Sequence, residues 1–118
     1  MARDAAVVTT WGPSIPGREG KALEVFMEFM TFIGKQAAEG KCSEAEPFIA
    51  SDGSGGFAIV RGRSDALAEL WDSEENLRLV TKAQLFVQDL KSHVYYTGEE
   101  VVNLTSMFAQ VMGEAGIA

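Results

Sequence analysis

The sequence predicts an α+β fold: four strands in one antiparallel sheet, with helices packed on one of its faces. Three observations predict it. Short β-branched or alternating runs occur four times, around residues 5–11, 42–51, 57–62 and 92–97. Apolar patterns of helical period separate the first pair of runs and the last pair. Between the middle two runs lies a glycine-rich stretch, Asp52 to Gly56, which joins them as a hairpin.

The first strand is Ala5 to Trp11, AAVVTTW. Pro13 and Pro16-Gly17 then stop any ladder. Gly12 and Gly17 have the outer glycine spacing of a phosphate loop. Arg18-Glu19 follow in place of Lys and Ser/Thr, so that reading fails. Arg18 to Glu39 is the strongest helical pattern. One apolar row holds Leu23, Phe26, Met27, Met30, Ile33 and Ala37; a second holds Ala22, Val25, Phe29 and Phe32. Together they span about 220° of the helix, more than the roughly 100° stripe a helix needs to lie on a sheet. Val25, Phe29 and Phe32 are therefore expected to meet something besides the sheet, either another segment or a second subunit. Gly40 ends the helix.

Cys42 to Ser51 is the second strand, with an irregular or edge-like start because Glu44, Glu46 and Pro47 fall there. Phe57 to Gly62 is the third. Phe57, Ile59 and Arg61 share one face, and Ala58, Val60 and Gly62 the other. Ser64 is the expected cap of a short helix over Asp65 to Trp71, with a break near residue 72. There Asp72 and Glu75 have capping-box spacing. Helix then continues over Leu77 to Leu90, with Leu79, Ala83, Phe86 and Leu90 on one row and Val80, Ala83 and Val87 on the next. Ser92 to Thr97 is the fourth strand. Thr97 and Glu100 have the spacing of a second capping box and open a last helix, about Glu99 to Met112.

Size and composition bound the function. The chain of 118 residues suits one domain spanning residues 1–118. A domain this long buries roughly two-thirds of its unfolded surface and needs neither disulfides nor metal to fold. Seventeen acidic and ten basic residues give a net charge of −7, and the basic residues are scattered. Nucleic acid and anionic membranes are disfavoured partners, because both require clustered Lys and Arg. One His and one Cys cannot build a Cys/His zinc site, so no metal is expected. No apolar run approaches the ~20 residues of a membrane span. No signal peptide precedes the first strand, so a cytoplasmic protein is expected.

The element order β-α-β-β-α-β is the split βαβ, ferredoxin-like arrangement, here with an added C-terminal helix. At this level the chain resembles the dimeric α/β-barrel superfamily, specifically its antibiotic-biosynthesis-monooxygenase and stress-responsive members. The residues that carry the resemblance are Pro16-Gly17-Arg18-Glu19 at the entry to the first long helix, Gly62-Arg63-Ser64 leaving the third strand, and Tyr95-Tyr96-Thr97-Gly98 ending the fourth. It covers roughly residues 5 to 98; the C-terminal helix lies outside it. The resemblance implies a homodimer in which two sheets face each other around a cavity. Activities found in such proteins include cofactor-free oxygenation, haem degradation, isomerisation and polyketide cyclisation. Fold alone assigns none of these. Haem-degrading members share an Asn, Trp and His set. Trp71 matches the tryptophan, but no His lies on that helix, so no haem or other cofactor is expected.

Several residues are candidates for chemistry. His93 is the only histidine, the side chain that titrates nearest neutrality, and Tyr95 shares its strand face. A His with a neighbouring Tyr hydroxyl suits proton removal from a phenol or an activated C–H bond; the plainer reading is a strand-edge His. Trp11 and Trp71 suit the wall of a cavity for an aromatic or polyketide-like molecule, or ordinary packing. Phe57, Ile59 and Arg61 are the expected cavity face of the central hairpin, with Arg61 either at a rim or pairing with a carboxylate. Asp52 serves the turn. Cys42 has Lys41 beside it, which would lower its pKa; burial would make it inert instead. The expected protein is a homodimer holding a small apolar ligand, a cofactor-independent monooxygenase or cyclase. The alternative is a non-catalytic ligand-binding or assembly module.

Overall fold

A computed structural model describes residues 3–117. Eight elements follow in order: β1 (Asp4–Trp11), α1 (Glu19–Ala38), β2 (Glu46–Ile49), β3 (Gly56–Arg63), α2 (Ser64–Trp71), α3 (Glu74–Ala83), β4 (Lys91–Tyr96) and α4 (Glu99–Glu114). The strands form one antiparallel sheet in the order β2-β3-β1-β4. This is the ferredoxin-like α+β architecture, with α4 added at the end.

The register sorts the strand residues onto two faces. Ala5, Val7, Thr9 and Trp11 pair across β1 and β3 with Gly62, Val60, Ala58 and Gly56. This set faces the helices: Ala5, Val7 and Val60 pack with Phe32, Ile33, Leu67 and Leu70 in the core. Ala58 and Val60 are each 1% exposed, because small side chains let the helices come close. The other face carries Val8, Phe57, Ile59, Arg61, His93 and Tyr95 and stays open.

The hairpin turn depends on glycine at Gly55 and Gly56, where a Cβ would run into the carbonyl oxygens of Trp11 and Phe48, respectively. Gly55 also has φ +123°. Asp52 serves the turn, as expected: its carboxylate accepts from Ser54 N at 3.0 Å. β2 is an edge strand, which accommodates Pro47. It is shorter than the expected run from Cys42. Ser43 instead joins β3 irregularly, donating N–H to Arg61 O at 2.7 Å and accepting from Arg61 N at its hydroxyl, 2.8 Å.

Five sequence expectations are corrected. On α1 the row that meets the core is Ala22, Val25, Phe29 and Phe32 together with Ile33, while Leu23 and Met27 stay exposed. The apolar arc is wider than the sheet covers, so periodicity defines the arc but not its buried edge. The helix expected through Leu90 ends at Ala83. Residues 84–90 form a strap instead, held to the loop after β1 by Gly12 N to Gln88 O at 2.7 Å, Ile15 N to Phe86 O at 2.8 Å and Gln88 N to Pro13 O at 3.1 Å. Long-range pairing there overrides the local helical period. The cap of α3 is Ser73, not Asp72. Ser73 is extended and accepts from Asn76 N, whereas Asp72 has helical angles and closes α2. The remaining two caps fail as well, because neither Ser64 nor Thr97 occupies the position just before its helix. Ser64 is the first residue of α2 and accepts from Arg3 N at 2.9 Å. Gly98 precedes α4 without a side-chain cap bond, and Glu100 pairs with Arg3 at 3.6 Å.

Candidate functional site: an aromatic cavity between sheet and helices

A cavity of about 410 Å³ lies between the helix-covered face of the sheet and α1, α2 and α3. Four aromatic rings line it as two pairs. Trp11, at the end of β1, stands 5.9 Å from Phe26 of α1, ring centre to ring centre. Phe29, one turn further along α1, meets the edge of Trp71 at 6.4 Å and 74°. Such tilted and edge contacts hold rings at fixed angles. Leu79, Val80 and Ala83 of α3, with Val87 and Leu90 of the strap, complete an apolar wall. Exposed Leu23 and Ile49 form part of the lining as well.

The polar groups on this lining are few. Thr9 and Ser92 are register partners on β1 and β4, and their hydroxyls bond each other at 2.8 Å. Glu19 is the one carboxylate; it is exposed and accepts from Gly17 N at 3.2 Å. Asn76 of α3 is the third kind of group. It is 1% exposed, and its Nδ2 donates to Trp71 O at 3.2 Å. Its Oδ1 is the one buried side-chain polar atom among the described residues with no hydrogen-bond partner.

The seven residues expected to act fall into two groups. Trp11 and Trp71 line the cavity. Phe57, Ile59, Arg61, His93 and Tyr95 share the open face, on the far side of the sheet. Phe57 stacks on Phe48 at 4.6 Å, and the His93 and Tyr95 rings lie 6.4 Å apart. Arg61 is exposed there and makes no ion pair among the described residues. Strand alternation separates these groups in the sequence, but it does not reveal the partners of Trp11 and Trp71. Periodicity assigns Phe26 and Phe29 to helix rows and no further, and it leaves Asn76 unmarked. One signal would find Asn76: it shares the helical row of Leu79, Val80 and Ala83, the lone polar residue on an apolar face.

Cys42 is half-buried, and burial pushes its thiol up from the ordinary value. The activation considered from Lys41 does not occur. The Lys41 ammonium pairs with Glu39 at 3.1 Å instead. Among the described residues no group of three His, Cys, Asp or Glu is placed to hold a metal ion. No helix among them is long and apolar enough to cross a membrane.

The fold places the chain among small ferredoxin-like α+β proteins. Three solved structures carry that comparison. Rv0793 from Mycobacterium tuberculosis aligns with a TM-score of 0.66 at 20% identity, over 80% of this chain and 95% of that one. A point mutant of SnoaB, a cofactor-independent oxygenase from Streptomyces nogalater, aligns with a TM-score of 0.66 at 14% identity, over 81% and 94%. An antibiotic biosynthesis monooxygenase aligns with a TM-score of 0.60 at 18% identity, over 80% and 98%. At these identities the likeness is one of fold. No family model matches the chain, and no curated protein matches it.

Proposed function

We propose that the protein is a homodimer whose sheet–helix cavity binds a small aromatic or polyketide-like molecule, on which it acts as a cofactor-independent monooxygenase or cyclase. The observation that carries this reading is the cavity of about 410 Å³ with Trp11, Phe26, Phe29 and Trp71 on its wall. Concave, mostly apolar sites with a few polar groups are where small ligands bind. Flat aromatic walls favour a flat aromatic guest. The fold shared with a cofactor-independent oxygenase supports the reaction class. Without a cofactor, the substrate itself must reduce dioxygen. An activated CH₂ becomes C=O, and its two hydrogens leave with the second oxygen atom as water. The protein's part is then to hold the substrate, exclude bulk water and fix its orientation.

In this reading the open sheet face packs against its copy in the dimer, and Phe57, Ile59, Arg61, His93 and Tyr95 line the space between the sheets. A base role for His93, with Tyr95 beside it, requires the ligand to sit in that space. We place the ligand in the aromatic cavity instead, and paired variants separate the two placements. Trp71→Ala should weaken binding of a fused-ring phenol at least about tenfold, read by tryptophan fluorescence quenching, while His93→Ala leaves it unchanged. The opposite pattern would move the site to the intersubunit space. Oxygen uptake with such a substrate, in chelator and without flavin, tests the reaction class.

A second reading is a non-catalytic ligand-binding or assembly module. It is favoured by Glu19 being the only ionisable side chain among the described residues on the cavity wall. Its signature would be a ligand recovered chemically unchanged from the protein after aerobic incubation.

A further inference from the structure

We propose that Asn76 is the specificity-determining residue of the cavity: its Oδ1 accepts a hydrogen bond from a hydroxyl or N–H group on the bound aromatic molecule. The inference rests on the reading that the cavity binds an aromatic ligand, and it narrows that ligand to a hydrogen-bond donor.

Asn76 is 1% exposed and lines the cavity at the third position of α3. Its backbone is fixed by the helix cap, with Asn76 N donating to Ser73 Oγ at 3.2 Å. Its amide orientation is fixed as well. Trp71 O can only accept, so the atom 3.2 Å from it is Nδ2 and the atom left over is Oδ1. Leaving a buried acceptor without a partner is costly, and native proteins rarely do so without a reason. The other side-chain oxygens on the wall are not comparable, and that of Ser14 belongs to a residue only half-buried. The Thr9 and Ser92 hydroxyls already bond each other. Glu19 is exposed and has Gly17 N.

The link through Trp71 adds a second consequence. The residue whose ring forms part of the wall also supplies the carbonyl that orients the amide. Ring and acceptor are therefore set by one short segment, Trp71 to Asn76, at the junction of α2 and α3. A flat molecule lying against the Trp71 and Phe29 rings would present an edge substituent to this junction. A neutral phenol, enol or aromatic N–H satisfies Oδ1. An ether, a ketone or an ionised phenolate brings only further acceptors and is disfavoured.

The test uses the full chain with 1-naphthol and 1-methoxynaphthalene, below the pH at which the naphthol ionises. Affinities come from calorimetry or from quenching of tryptophan fluorescence. The expected result is that the naphthol binds at least about tenfold tighter than its methyl ether, although the ether is the more apolar molecule. Asn76→Leu, which replaces the orphaned acceptor with a side chain of similar size, should erase that preference by weakening the naphthol and not the ether. Equal affinity of the two molecules for the unmodified protein would overturn the role of Asn76 and leave the cavity reading standing. So would a preference that survives in Asn76→Leu, or an Oδ1 partnered by water alone when the naphthol is bound in a crystal. Failure of both molecules to bind would overturn the cavity reading and the assignment with it. The wild-type comparison needs no variant, so it decides the matter even if Asn76→Leu does not fold.

Discussion

The two faces of this sheet come from the same strands and reach opposite ends. On one face Ala58 and Val60 vanish under α1 and α2, and the core closes around Ile33 and Leu67. On the other, Phe57, Tyr95 and the stacked Phe48 remain exposed. α4 belongs with the second condition. It has no buried residue, yet Val101, Val102, Met107, Phe108 and Val111 are all about half exposed or more. Exposed apolar and aromatic side chains on both a sheet face and a helix are more than a solitary chain usually leaves to water. The covered face explains how one chain folds. The uncovered face and α4 are the surfaces a second copy would cover in the proposed dimer.

The comparison can be broken most directly by deleting residues 99–118. If the uncovered surfaces form the subunit interface, the truncated protein sediments as a monomer while its circular dichroism still shows the α+β core. A truncated protein that stays dimeric would remove α4 from the interface. Next in size is a matched pair. Leu67→Ala, inside the core at 1% exposure, should cost about 3 kcal/mol of stability in urea unfolding. Ile59→Ala, half-buried on the open face, should cost under about 1 kcal/mol in the monomeric domain and act mainly on association. Equal costs would mean that the open face is as much core as the closed one. Gly55→Ala should lose about 2 kcal/mol, because φ +123° and the Trp11 carbonyl both exclude a Cβ. Gly53, where a Cβ meets nothing within 4 Å, is the control for open space at positive φ.

The smallest expected effect is a pH dependence at Asp52. Hydrogen bonds from Ser54 hold its carboxyl below the usual carboxylate value. A folded-state pKa lower than the unfolded one gives stability that is present above the unfolded value and lost as pH falls through the folded one. Asp52→Asn should therefore lower stability slightly near neutrality and flatten its fall on the acid side, so that the two proteins converge in strong acid. A difference that persists undiminished in strong acid would assign another role to Asp52.

Much of this is legible along the chain. Alternation within Phe57 to Gly62 separates the large residues from the small ones, and the small set does lie under the helices. Pro47 marks an edge strand, and the glycines mark the hairpin. What fails has a common cause. Spacing alone points to caps at Asp72 and Thr97, but caps depend on backbone angles, and Ser73 and Gly98 hold those positions. Phe86 and Leu90 continue a helical period, yet their segment leaves the helix to bond the loop at Gly12 to Ile15. The cavity is hidden for the same reason. Trp11, Phe26, Trp71 and Val87 meet there from four separate segments.

The sequence by itself determined the element order, the edge position of Pro47 and which hairpin residues share a face. These are consequences of local period and local backbone chemistry, written into neighbouring residues. Only the tertiary structure decided which row of α1 is buried, where α3 stops, and that Asn76 Oδ1 is left without a partner. Each of these is set by how distant segments share space, a quantity that no window of adjacent residues contains.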